Sequence, residues 1–102
     1  MDIKDQQQQK LIEQYITQYE KGQLKLDRLI NVLNALLEVL QVTPEKWKDD
    51  FRSEWWTLEQ IYAVSLDDEQ LLFQKETQDL IKETLENMKK LLGEVLVIEM
   101  AV

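Results

Sequence analysis

The sequence contains no cysteine and no histidine among its 102 residues. Without these side chains the chain cannot form a disulfide, and it offers no thiolate or imidazole to a metal ion. The Ser/His and Cys/His pairs that activate nucleophiles in many hydrolases are excluded for the same reason. No glycine-rich phosphate loop is present either. We therefore expect no metal, no cofactor and no catalytic site.

Glycine occurs twice and proline once, which disfavours a turn-rich β-fold and favours long helices. No apolar run approaches the roughly 18 residues that span a bilayer, and the polar start MDIKDQQQQK does not match a secretory signal. Hydrophobic residues make up 44% of the chain and charged residues 31%, a balance typical of globular proteins. These features predict one all-α domain over residues 1–102, soluble and cytoplasmic.

Apolar residues recur at the helical period in four segments, about residues 3–21, 24–41, 44–65 and 70–92. Gly22 and Gly93 predict the ends of the first and fourth helices, and Thr43 followed by Pro44 predicts the start of the third, with Thr43 as the N-cap. Because the connections are short, we expect an up-down-up-down antiparallel four-helix bundle. The apolar C-terminal tail, residues 94–102, leaves three alternatives: it extends the fourth helix, packs across the bundle, or pairs with another copy.

The third helix has two different aromatic faces. At about 100° per residue, one arc holds a core stripe of Trp47, Phe51, Trp55, Leu58, Ile61 and Tyr62. Trp56 points away from this stripe, beside Arg52, whose guanidinium can lie against the indole ring. Two interpretations stay open: Trp56 covers an edge of the bundle, or it anchors a partner. Glu54 falls inside the apolar arc, so either Arg28 or a nearby lysine pairs with it, or the face is open there.

Negative charge dominates the chain and is concentrated in its middle. The net charge of −8 opposes binding to nucleic acid or to an anionic membrane. Residues 45–69 carry eight carboxylates and three basic residues, a net charge of −5. The run Asp67-Asp68-Glu69 is predicted in the turn after the third helix, and it lacks the ligand spacing of a calcium loop. Such a distribution attracts a basic protein partner.

Two stretches, GQLKLDRLINVLNALLEVL and WKDDFRSEWWTLEQIYAVSLDD, lie within residues 22–92. They resemble small acidic helical proteins that act as immunity partners in bacterial contact-dependent growth inhibition and related polymorphic-toxin systems. The resemblance implies a non-catalytic protein that binds a cognate toxin domain tightly and blocks it. Many of these toxins are nucleases with basic substrate surfaces, which an acidic protein can occupy.

We expect the outer face of the third helix and the following turn to bind the toxin, with Trp56 as the desolvated anchor. The expected partner-binding residues are Asp49, Arg52, Trp56, Glu59, Gln60, Asp67, Asp68 and Glu69. The alternative is a non-catalytic helical interaction module, either an adaptor or a homodimer. A self-association surface formed by residues 95–98 would favour that alternative.

Overall fold

The computed structural model describes the backbone of residues 3–40 and 43–101 and the side chains of residues 5–40 and 43–94. Within these residues the chain forms four α-helices, one 3₁₀ turn and no strand. The helices are α1 (Ile3–Glu20), α2 (Leu26–Glu38), α3 (Glu45–Ser65) and α4 (Lys75–Ala101), and the 3₁₀ turn spans Leu71–Phe73. Each helix packs on the next and α1 also packs on α4, so the predicted all-α four-helix bundle is confirmed.

One hydrophobic cluster fills the centre of the bundle, and every helix contributes its apolar stripe. The fully buried members are led by Ile12 and Ile16 of α1, Leu29 and Leu33 of α2, Phe51 and Leu58 of α3, and Leu85 and Met88 of α4. Burial of one such side chain contributes about 1.5–3 kcal/mol. The predicted stripe of α3 is confirmed, with Trp55 and Tyr62 partly buried against the cluster.

The end of α1 matches its sequence signal. Gly22 adopts a φ of +75°, a left-handed conformation that is strained for other residues. Its N–H donates to the carbonyl of Tyr19 at 3.0 Å, and the N–H of Gln23 donates to the carbonyl of Gln18 at 2.9 Å. This pair of bonds is a Schellman motif, which satisfies the last carbonyls of the helix and turns the chain toward α2.

The start of α3 differs from the prediction. Pro44 is the N-cap residue, and no side chain caps the helix from that position. Thr43 lies one residue earlier and is buried, and its N–H and hydroxyl both donate to the carboxylate of Asp5, at 2.9 and 2.7 Å. The predicted capping role of Thr43 is therefore wrong, because its hydroxyl faces α1 instead of the first turn of α3.

The helix α4 continues through Gly93 to Ala101, so the predicted end at Gly93 is wrong. A glycine inside a helix costs only about 1 kcal/mol, and the residues that follow it include Leu96, Glu99 and Met100, which are good helix formers. Of the three alternatives for the tail, the backbone matches the first, in which the tail extends the fourth helix. The side chains of residues 95–101 and residue 102 lie outside the described part of the structure.

Candidate partner-binding surface

The rotation of α3 about its axis is fixed on the α4 side by two stacked rings. Trp47 and Phe51 have centroids 5.1 Å apart and an interplanar angle of 23°. The indole N–H of Trp47 donates to the carbonyl oxygen of Leu91 at 2.7 Å. Because both rings are buried, these contacts hold one side of α3 in the core and leave the opposite side outward.

The other flank of α3 is fixed to α2 by three side-chain hydrogen bonds. They run from Trp55 Nε1 to the carbonyl of Ile30 (2.8 Å), from Arg52 Nη1 to Asn34 Oδ1 (3.2 Å), and from Lys48 Nζ to the carbonyl of Leu40 (3.3 Å). These pairs run in opposite directions along the two helices, as antiparallel packing requires. The predicted contact between the Arg52 guanidinium and the Trp56 ring is absent among the described side chains, because Arg52 is directed at Asn34.

Trp56 lies on the outer face of α3 with 53% of its surface exposed. Its ring meets that of Trp55 edge-on, with centroids 5.5 Å apart and planes at 71°, a favourable arrangement for two aromatic rings. Since Trp55 is itself held by α2, Trp56 has a fixed support on one side. No described group accepts a hydrogen bond from its indole N–H, so that donor is available to another molecule.

The partner-binding residues predicted on α3 share one face. Asp49, Arg52, Trp56, Glu59 and Gln60 fall within an arc of roughly 100° on the helical wheel. On α2, Asp27 and Glu38 lie within roughly 40° of Asn34 on the wheel. The antiparallel register places Asp27 level with Glu59 and Glu38 level with Asp49. We call this surface the α2–α3 face: Trp56 and Gln60 with the carboxylates of Asp27, Glu38, Asp49 and Glu59.

No described side chain neutralises the carboxylates of the α2–α3 face. Ion pairs among the described side chains join Lys46 to Asp50, Lys48 to Glu45 and Lys89 to Glu20. None of them includes Asp27, Glu38, Asp49 or Glu59. Of the two basic side chains that bond across the α2–α3 seam, Arg52 bonds to a neutral amide and Lys48 pairs with Glu45. The face therefore combines an exposed indole with uncompensated negative charge.

The remaining predicted residues, Asp67, Asp68 and Glu69, lie in the connection between α3 and α4 and are exposed. The Asp68 carboxylate accepts the N–H of Gln70 at 3.1 Å, which closes a tight turn before the 3₁₀ segment. At about 1.5 Å per residue, Asp67 is about 16 Å from Trp56 along α3. The predicted set is therefore divided into two parts, one on the helix face and one at the end of the bundle.

The Glu54 carboxylate does not meet a cation. Its Oε1 accepts a hydrogen bond from Asn87 Nδ2 of α4 at 3.4 Å, and the side chain is only half-buried. The predicted ion pair with Arg28 or a lysine is absent among the described side chains, and Arg28 is exposed on α2. The face is open at this point, as the other interpretation of Glu54 expected, so the neutral amide of Asn87 is sufficient.

A polar cluster at the N-terminal end of α1 was missed by the sequence reasoning. Asp5 and Gln9 are buried one turn apart, Asp5 accepts two hydrogen bonds from Thr43, and Gln9 Nε2 donates to the Thr43 hydroxyl at 3.2 Å. In the sequence, both residues lie in a polar segment that reads as a solvated first turn. No local signal indicates that this turn packs against the start of α3.

An apolar cleft opens at the opposite end of the bundle, with a volume near 430 Å³. We call it the end cleft, and its walls are Tyr19, Leu26, Tyr62, Leu72 and Phe73, with Asp27 and Lys25 at the rim. The Gln78 amide of α4 donates to the carbonyl of Leu72 and so holds the 3₁₀ turn in place. Burial raises the pKa of Tyr19 above its ordinary value.

The part of the chain that the structure describes contains neither a candidate metal site nor a membrane-spanning helix. It contains no group of three or more Asp or Glu side chains that could hold a metal ion, and no helix is both long and apolar enough to cross a bilayer. No known protein family, curated protein or solved structure matches this chain.

Proposed function

We propose that this chain is an immunity protein that neutralises a basic toxin domain, in the manner of the bacterial contact-dependent growth-inhibition systems that its sequence resembles. One observation carries the proposal. Trp56 is half-exposed, supported edge-on by Trp55, and shares the α2–α3 face with carboxylates that no cation among the described side chains neutralises. An indole on a rigid support within a charged rim is the composition of an interface hot spot.

The charge of the surface selects the kind of partner. Uncompensated carboxylates accelerate the encounter with a positively charged protein, and they repel acidic proteins and nucleic acid. A nuclease must present a basic surface to its phosphate substrate. A protein whose carboxylates occupy that surface prevents substrate binding without any chemistry of its own.

Trp56 supplies the affinity in this proposal and the carboxylates supply the rate of association. Desolvation of an exposed indole in the centre of an interface typically contributes 2 kcal/mol or more. Exposed charges at the rim mainly change the association rate and its salt dependence. Substitution of Trp56 and reversal of the acidic charges should therefore affect binding in different ways.

The test requires that a toxin domain be encoded immediately upstream of the gene for this chain. That domain is used in a catalytically inactive form for binding and in its active form for protection of cells. Trp56→Ala is expected to weaken the affinity by about 30-fold or more, the equivalent of about 2 kcal/mol, mainly through faster dissociation in surface plasmon resonance. Asp49→Lys/Glu59→Lys, which reverses two carboxylates of the α2–α3 face, is expected to slow association and to reduce its salt dependence.

The matched control is Glu13→Lys/Glu83→Lys, which makes the same charge change at two exposed positions on α1 and α4. This variant should bind and protect as the natural protein does. If Trp56→Ala and Asp49→Lys/Glu59→Lys both fold and still protect cells fully, the proposed surface is wrong. If no upstream toxin domain binds the natural protein, the immunity function itself is wrong.

A further inference from the structure

The end cleft has the properties of a binding site and plays no part in the surface predicted from the sequence. Phe73 forms one wall and is 81% exposed, and Leu66 beside the turn is 67% exposed. Exposed apolar groups grouped at one place usually mark a contact surface. The hydrogen bond from the Gln78 amide to Leu72 fixes the 3₁₀ turn that presents Phe73.

The interior of the end cleft fits an apolar side chain with a polar group near it. Its walls are largely apolar, yet the hydroxyls of Tyr19 and Tyr62 have no hydrogen-bond partner among the described residues. A small apolar pocket with a few polar groups is the usual composition of a binding pocket. A volume near 430 Å³ admits an aromatic or leucine side chain together with the backbone that carries it.

The end cleft has two candidate occupants, a second copy of this chain and a different protein, and charge decides between them. Asp27 at the rim also belongs to the α2–α3 face, and Asp67, Asp68 and Glu69 precede the 3₁₀ turn. Lys25 is the one basic residue at the rim. The two charges that line the cleft, Asp27 and Lys25, cancel each other. The net charge of −8 on each copy therefore decides, because it repels a second copy and attracts a basic protein.

We infer that the end cleft receives an apolar side chain of the basic partner, flanked in that partner by a lysine or arginine that pairs with Asp27. This inference rests on the proposed function, since the partner is the same protein that binds Trp56. Leu66 is ten residues from Trp56, about 15 Å along α3. An interface of about 800 Å² per partner is wide enough to cover both positions, so Trp56 and Phe73 act as two anchors of one interface.

The cleft is tested by adding three peptides with blocked termini, one at a time, to the free protein. Binding is monitored by the changes in the protein's amide NMR shifts. Acetyl-Arg-Phe-Arg-amide is expected to bind in the millimolar range and to shift the signals of Asp27, Leu72 and Phe73. Replacement of its phenylalanine by glycine should abolish these shifts, and replacement of both arginines by glutamates should weaken binding at least fivefold. Shifts that are absent, that lie elsewhere, or that are equal for all three peptides overturn the inference.

A toxin domain encoded upstream that binds the natural protein provides the second measurement. Phe73→Ser is expected to weaken its binding at least tenfold, and the control Leu80→Ser, at an exposed leucine of α4 outside the cleft, to leave it within twofold. If Trp56→Ala weakens binding while Phe73→Ser does not, the cleft inference fails and the proposed function stands. A doubling of the free protein's mass by light scattering, lost in Phe73→Ser, would assign the cleft to a second copy and overturn the inference.

Discussion

The seam between α2 and α3 and the seam between α1 and α4 are constructed in different ways. The first is closed by hydrogen bonds from Arg52 and Trp55 to α2. The second has fewer close contacts and leaves a cavity near 490 Å³ lined by Tyr19, Ile81, Leu85 and neighbouring residues. Among the described ion pairs, only that between Glu20 and Lys89 crosses it, at 2.5 Å.

This difference places the candidate surface on the more rigid side of the molecule. A seam closed by directed hydrogen bonds opens less often than one with a cavity and an exposed ion pair. Because Trp56 is supported by Trp55, which is bonded to α2 across this seam, one side of its ring is held in place before a partner binds. Less conformational entropy is then lost on binding.

Among the substitutions that test this comparison, the largest loss of stability is expected at Trp55. Trp55→Ala removes a partly buried indole and its bond to the Ile30 carbonyl, and we expect the free energy of unfolding to fall by about 3 kcal/mol in urea titrations. The matched control is Trp56→Ala, the same substitution one residue further on, for which we expect a loss below about 1 kcal/mol. Equal losses would mean that the α2–α3 seam does not depend on Trp55.

A smaller effect is expected where α1 meets the start of α3. Asp5→Ala leaves the buried N–H and hydroxyl of Thr43 without their acceptor, so we expect a loss of about 2 kcal/mol by thermal or urea unfolding. Asp5→Asn, which keeps one acceptor oxygen, should lose less. Gln7→Ala, at an exposed position of the same helix, is the control and should change stability by less than about 0.5 kcal/mol. If Asp5→Ala left the free energy of unfolding unchanged, α1 would be held by its apolar residues alone.

The smallest effect is expected at the open seam. Lys89→Ala removes the ion pair with Glu20, which is partly exposed, so we expect a loss below about 1 kcal/mol that shrinks further at high salt. Lys90→Ala, at an exposed neighbour without an ion pair among the described residues, provides the baseline. A loss larger than that of Trp55→Ala would reverse the ranking of the two seams.

The fold could be predicted because its signals are local. The apolar period of α3 separates Phe51 from Trp56, and Gly22 supplies the φ that its turn requires. The errors arose where a local signal was weak or a distant group intervened. Gly93 alone cannot end a helix whose following residues favour helix, and Thr43 is bound by a carboxylate 38 positions away in the chain.

The candidate surface could be predicted only in part. Helical spacing placed Asp49, Trp56 and Gln60 on one face, since that geometry follows from the sequence alone. It could not show that Arg52 would be bound by Asn34, because that contact depends on the register between two helices. Phe73 was missed because a short 3₁₀ turn has no apolar period that distinguishes an exposed ring from a buried one.

The edge-on pair of Trp55 and Trp56 has an optical consequence. Two indoles 5.5 Å apart and inclined by 71° have coupled electronic transitions, so the pair should give a paired positive and negative band in the far-ultraviolet circular dichroism. Replacement of either indole by phenylalanine would remove that band, whereas replacement of Trp47 would leave it. The protein thus carries an intrinsic spectroscopic reporter on its outer face, whose signal changes when a partner displaces Trp56 even though the helices stay folded.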